Sequence, residues 1–199
     1  MNDGRTTSTH ETRQRIVRAG IELFRRSGYT GTGMKQIAEA AEAPFGSIYH
    51  FFPGGKVQLA EEVIRTSGAV YLDLVAALMT AHEDCVVATA DAFTAAAGTL
   101  VELDFADPCP IATVALEVAS TNEPLRQATS EVFESWVTRL AASYTAGGIP
   151  APLARETATS VIALLEGAFM LARAARSTAP VLAASKAAAA IVRAALAGE

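Results

Sequence analysis

Chemistry needs particular side chains at particular spacings, and in this chain the candidates are its histidines, cysteines, glycines and hydroxyls. His10, His50 and His82 never stand at metal-ligand spacing with one another or with Cys85 or Cys109. No metal site or cofactor is expected. Gly28, Gly31 and Gly33 resemble a nucleotide-binding glycine cluster, but the order is wrong for G-x-G-x-x-G and no strand precedes it. No G-x-S-x-G and no Ser/His/Asp arrangement is present. The chain does not read as an enzyme. Cys109 stands at a helix start, where a thiol's pKa can be lowered. That leaves a redox-sensing role open for Cys109, or for Cys85, beside the plainer reading of a small buried hydrophobe.

The stretch "GSIYHFFPGGKVQL", residues 46–59, offers a different chemistry. Gly46 lets a backbone approach closely, Ser47 is a short donor, and Tyr49 and His50 carry polar tips at longer reach. After the Pro53-Gly54-Gly55 break, Lys56 opens a new helix whose N-terminus suits a phosphate. These residues can touch nucleic acid only if a scaffold holds them outward.

That scaffold is readable from periodicity. Ser8 and Glu11 match a capping box, and Ile16, Val17, Gly20, Ile21, Leu23 and Phe24 recur at helical spacing up to Gly28. The first helix is expected over 9–27, a short second one over 34–41, and a third from Pro44 to Phe52. A long fourth helix begins at Lys56, with Ala60, Val63, Ile64, Ser67, Tyr71, Leu74, Val75 and Leu78 inward. Five more are expected at 86–103, 110–120, 124–146, 152–176 and 179–197. The breaks between them are Asp107-Pro108, Asn122 to Pro124, Gly147 to Pro150 and Thr178 to Pro180. No strand is expected, and the fold class is all-α. Two short helices behind a supporting one follow the helix-turn-helix plan, with Ile37 and Ile48 meeting inside. The same pattern also fits an ordinary three-helix bundle with its aromatics in the core.

Composition sets the wider limits. The chain has 199 residues, 51% of them hydrophobic, and a net charge of −5. Residues 1–66 carry nine Lys/Arg against seven Asp/Glu, and residues 67–199 carry seven against fourteen. A mildly basic head on an acidic body suits a binding module joined to something else. No unbroken apolar run reaches the roughly 18–20 residues of a membrane span, since Glu166, Arg173, Lys186 and Arg193 interrupt the candidates. The polar N-terminus and two cysteines point to a reducing cytoplasm.

The residues are more specific than the pattern. "RIVRAGIELFRRSGYTGTGMKQIAEAAEAPFGSIYHFFPGGKVQLAEEVI" resembles the DNA-binding head of the TetR family of bacterial repressors. Its "ELF…GY…T…IA" and "GSIYHFFPGGK…L" runs stand at the family's spacing. Thr32-Gly33, Ala43-Pro44 and "CPIATVALEVASTNEPLR" at 109–126 are similar to the lincomycin-resistance-repressor-like branch. The resemblance implies a helix-turn-helix domain at 9–60 and a helical ligand-binding and dimerisation domain at 61–199. It implies that Tyr49 and His50 contact operator phosphates or base edges beside Gly46 and Ser47. Thr32, Gly33 and Lys35 would meet the DNA backbone, and Lys56 would hold a phosphate. Glu42 stands where a turn glycine is usual, implying a wider or strained turn. Phe45 replaces a frequent lysine and removes a phosphate contact, and Gly33 replaces a hydroxyl residue.

The function expected is a homodimeric repressor that binds a near-palindromic double-stranded operator and is released by a small hydrophobic inducer. Rivals are a redox- or partner-controlled regulator without a ligand, and an α-helical enzyme or carrier. Converging stripes place a candidate pocket at Tyr71, Leu74 and Leu78, Phe93, Ala97 and Leu100, Cys109, Thr113, Leu116 and Glu117, Phe133, Trp136 and Leu140, and Phe169 and Met170. The same side chains could also simply fill one another. The dimer interface implied by the family falls on Val161, Leu164, Leu165 and Ala168, with Ala190, Ile191 and Ala194.

Overall fold

The structure, a computed structural model, describes residues 3–106 and 109–198, with side chains from residue 10 onward. Among them the chain is helical, with no strand. Its helices are α1 (Asp3–Ser27), α2 (Met34–Ala40), α3 (Phe45–Phe51), α4 (Gly55–Thr80), α5 (Cys85–Glu102), α6 (Pro110–Val118), α7 (Glu123–Ala146), α8 (Ala151–Ala175) and α9 (Ala179–Ala197). From α2 onward most ends fall within a residue or two of the positions set by proline, glycine and capping signals. The first helix differs, because it begins at Asp3 and Ser8 lies within it. The Ser8 side chain of the expected capping box, and the Asp107-Pro108 break, lie outside the described residues.

Two compact units form. One takes the chain through Gly68 together with Pro110–Val132, and the other takes Ala69–Cys109 together with the chain from Phe133. In the first unit, Ile16 and Phe24 of α1, Ile37 of α2, Ile48 of α3 and Leu59, Val63 and Ile64 of α4 are buried. Gly20 permits the close passage of α1 and α4, since a Cβ there would lie 2.8 Å from Val63 Cγ2. Arg13 ties α1 to α4 through Glu62 at 2.9 Å and lies over the Phe52 ring. The turn between α2 and α3 stays closed, with Ala43 N–H donating to Ala38 O at 3.0 Å. It does so by holding Glu42 at φ +49°, so the missing glycine leaves strain and not a wider turn. Arg15 Nε supports it by donating to the Ala41 carbonyl.

This unit also contains α6 and the start of α7, which lie beyond the expected domain boundary at residue 60. The reason is polar and local. Glu117 of α6 accepts the Thr30 N–H at 2.7 Å, and Arg65 of α4 pairs with Glu131 of α7 at 2.8 Å. Gly28, at φ +71°, makes room, because a Cβ there would collide with the Glu117 carboxylate.

The second unit is built on α5, α8 and α9 packed together. Its core includes Phe93 and Leu100 of α5, Leu140 and Tyr144 of α7, Ala158 and Val161 of α8, and Val181, Ala188 and Val192 of α9. Asp84 caps α5, its carboxylate accepting from Val86 N–H at 2.7 Å. By length and apolar content alone, α4, α5, α8 and α9 each suffice to cross a bilayer, contrary to the expectation from unbroken runs. Alanine supplies much of that content, and α5, α8 and α9 direct their apolar faces into the core of this unit.

Candidate nucleic-acid interface and ligand cavity

The third helix sorts its residues by face. Ile48 and Phe52, four apart, are buried. Gly46, Tyr49 and His50 occupy the opposite side and are exposed, with Ser47 half-buried at the edge. A Cβ added at Gly46 would meet nothing within 4 Å, so a partner's backbone can approach there. Sequence reasoning had treated Phe45 only as a lost lysine. It is about half exposed and packs edge-on against Tyr49, with ring centroids 5.5 Å apart. The outer face therefore presents an aromatic pair and an imidazole, with open backbone at Gly46.

The neighbouring residues divide. Lys35 and Gly33 on the second helix are exposed, and the Gln36 side chain accepts the Gly33 N–H at 2.7 Å. Thr32 does not belong to the outer face. It is 1% exposed, and its hydroxyl donates to the Gly28 carbonyl at 2.7 Å. The implied backbone contact from this hydroxyl is thus corrected to a structural one, closing the turn after α1. At the start of α4, Gln58 Oε1 accepts the Gly54 N–H at 2.8 Å, so that amide already has a partner.

Lys56 is more constrained than an exposed phosphate ligand. Its ammonium lies 4.3 Å from the centre of the Tyr29 ring. Partial burial lowers its pKa, and the Glu117 carboxylate opposes that shift. Tyr29 is the residue that sequence reasoning missed here. Its position just after Gly28 gave no sign that it would form a platform for a lysine 27 places further on.

A cavity of about 200 Å³ lies in the second unit. Of the expected pocket residues, Tyr71, Leu74, Leu78, Phe93, Cys109, Trp136, Leu140 and Phe169 line it. Ala97, Leu100, Thr113, Leu116, Glu117, Phe133 and Met170 do not, the first two being buried in the core beside it. Leu116 and Met170 are exposed, and Glu117 is engaged with Thr30. Phe133 instead packs edge-on to Trp136 at 5.5 Å. The wall gains Val75, read only as part of the inward stripe of α4, and Thr89, Tyr144, Ile162 and Glu166, which periodicity did not single out. Val161 and Leu165, expected at a dimer interface, line the cavity too, and Ala168 is buried in the same unit. Leu164 and Ile191 are half-buried, as is Ala194, while Ala190 is exposed. Burial pushes the Cys85 thiol pKa up, with Asp84 adding to it, which disfavours a reactive thiolate. Cys109 is buried as well.

Comparison with known proteins agrees with this geometry. Residues 16–63 match "Bacterial regulatory proteins, tetR family", and residues 85–187 match "Transcriptional regulator LmrA/YxaF-like, C-terminal domain". The HTH-type transcriptional regulator LmrA of Bacillus subtilis is 32% identical over 179 residues, covering 86% of this chain and 92% of that protein. The uncharacterized HTH-type transcriptional regulator YxaF of the same organism is 31% identical over 176 residues, covering 88% of this chain and 92% of that protein. In fold, the reduced form of E. coli NemR superposes with a TM-score of 0.78 at 21% identity, covering 92% of this chain and 98% of that one. An outward-facing third helix behind a closed turn, matched in sequence over most of the chain, places this protein in the TetR family of bacterial regulators, as a DNA-binding transcriptional regulator of the LmrA/YxaF-like branch and not an enzyme.

Proposed function

We propose that this regulator is a repressor that binds a near-palindromic operator as a homodimer in the cytoplasm and leaves it when a small, mostly apolar molecule occupies the cavity. One observation carries the reading: α4 is a single helix with Lys56 in its first turn and Tyr71, Leu74, Val75 and Leu78, four cavity residues, further along. A molecule lodged against those later turns favours one setting of the helix, and a rigid helix carries its first turn along. Such a ligand releases DNA only by as much as it prefers the non-binding state, so tight binding alone does not suffice.

In this reading Tyr49 and His50 meet base edges or phosphates, with Gly46, Ser47, Gly33 and Lys35 around them and Lys56 on a phosphate. Homodimerisation uses the outer faces of α8 and α9. Ala163, Gly167, Met170, Leu171 and Ala174 are exposed on one, and Leu182, Ala183, Ala187 and Ala190 on the other. Two reading heads related by a two-fold axis require two half-sites in inverted repeat.

The test joins both activities. Operator binding to the DNA upstream of the protein's own gene is followed by fluorescence anisotropy while candidate apolar compounds are added, and Trp136 emission is recorded in parallel. Compounds that release DNA are expected to perturb Trp136, the only tryptophan. Release without any change in Trp136 emission, with potency unaltered by Trp136→Leu, places the ligand elsewhere and defeats the proposal.

A further inference from the structure

Two exposed aromatic rings stand on the outer face of α3. Among the described residues up to Gly68, Phe45 and Tyr49 are the large apolar side chains left exposed, at 49% and 47%. The other large apolar groups of that segment are buried or half-buried, Ile16, Phe24, Ile37, Ile48 and Phe52 completely or nearly so. One exposed apolar residue needs no explanation. A pair of them on the face that presents Gly46 and His50 does.

Tyr49 stands one turn beyond Phe45, so the two share a row on the helix, and Gly46 and His50 form the row beside it. The rings meet edge-on, with centroids 5.5 Å apart and planes at 75°, so each limits the rotamers of the other. Tyr49 carries a hydroxyl at its tip. Phe45 has neither donor nor acceptor on its side chain, so it gains nothing from a phosphate or from a base nitrogen or oxygen. An added Cβ at Gly46 meets nothing within 4 Å, which leaves the space beside the Phe45 ring open to a partner. Among the groups that base pairs present in the major groove, the C5 methyl of thymine is the hydrocarbon one.

We propose that Phe45 is a specificity-determining residue that packs on a thymine methyl of the operator, with Tyr49 bracing its ring. This rests on the reading of α3 as the helix that enters the major groove. The apolar pair is continuous with that reading face, and this continuity makes duplex DNA its occupant. Seating the ring on a methyl removes apolar area of both from water and breaks no hydrogen bond.

Uracil tests it, because it keeps the O4 acceptor and the pairing of thymine and lacks only the methyl. The full-length protein first selects its preferred duplex from a random pool. That duplex is then made with uracil at one thymine position at a time, in both half-sites together, and affinities are read by fluorescence anisotropy. Wild type is expected to lose about four-fold per methyl at one such position, the worth of one buried methyl-sized group. Phe45→Ala should bind the thymine and uracil forms equally there, with circular dichroism unchanged because the side chain is exposed. Phe45→Lys should lose the same preference while its salt slope rises by about one, as a phosphate contact requires. A thymine preference that survives Phe45→Ala belongs to another side chain or to DNA shape and overturns the inference. So does a wild type that no uracil weakens, or a Phe45→Ala variant with unchanged affinity for every duplex, which leaves the pair to a protein partner. In each of these cases α3 stands as the reader if Tyr49→Ala or His50→Ala weakens binding to the selected duplex. If neither does, both readings fall.

Discussion

Thr32→Val distinguishes a hydroxyl that holds the head together from one that holds DNA. The Thr32 side chain is buried, and its proton is directed at the Gly28 carbonyl at 2.7 Å, with the Leu23 carbonyl at 3.2 Å. Valine fills the same space without a donor. The lost hydrogen bond is worth ~0.5–1.5 kcal/mol net, and a carbonyl left buried without a partner costs ~1–3 kcal/mol. The two overlap, so the expected destabilisation is about 1.5–3 kcal/mol. For a chain of this size that lowers the thermal midpoint by about 3–12 °C. Circular dichroism gives the midpoint. Anisotropy with labelled operator, well below both midpoints, gives the affinity, which should match wild type. Thr32→Ser, which restores the donor, should recover most of the midpoint. Were the hydroxyl on a phosphate, Thr32→Val would weaken specific and non-specific DNA alike and leave stability unchanged. That outcome refutes the structural assignment.

Four further expectations follow from the same geometry. Tyr49→Ala or His50→Ala should weaken operator binding by ~1–3 kcal/mol each with circular dichroism intact, since neither side chain is buried; unchanged affinity in both removes α3 as the reader. Lys56→Ala should weaken binding to every sequence and lower the salt slope by about one; a loss confined to the operator counts against a phosphate contact. Gly167→Arg should give a monomer in sedimentation while leaving the single chain folded, because a Cβ at Gly167 meets nothing within 4 Å, whereas Ala168 is buried and its replacement would disrupt the core. Glu42→Gly removes left-handed strain of ~1–2 kcal/mol against ~0.5–1 kcal/mol of added chain entropy, so the thermal midpoint should rise by about 1–4 °C and a fall would show that φ +49° costs nothing there.

Much of the head was legible because its signals are local. Spacing placed Ile37 and Ile48 inward, and what faces away on a seven-residue helix follows from what is buried. Thr32 was misplaced because a hydroxyl at a helix start serves a phosphate or a neighbouring carbonyl equally well. Only the chain's path after Gly28 decides between them. Phe45 was undervalued for a related reason: a family pattern shows what a position lacks, whereas its exposure beside Tyr49 depends on the fold.

The cavity shows where stripe reasoning stops. An apolar stripe says that a helix face is covered but not by what, and seven of the expected pocket residues fell outside for that reason. Thr113 and Leu116, with Glu117, lie on α6, a helix short enough for one polar contact to decide its neighbours. Glu117 accepts the Thr30 N–H and faces the Lys56 charge, which groups α6 with α1 and α4. Nothing in the spacing of residues 110–118 signals a bond to a residue 87 places away. Glu166 was overlooked for the opposite reason. It was read as the charge that interrupts an apolar run, and so as an argument against a membrane span. Its register with Ile162, Leu165 and Phe169 puts it in the wall. A charge that breaks a hydrophobic stripe while keeping its phase stays on the face of that stripe, so register and not polarity decides which side of the helix it occupies.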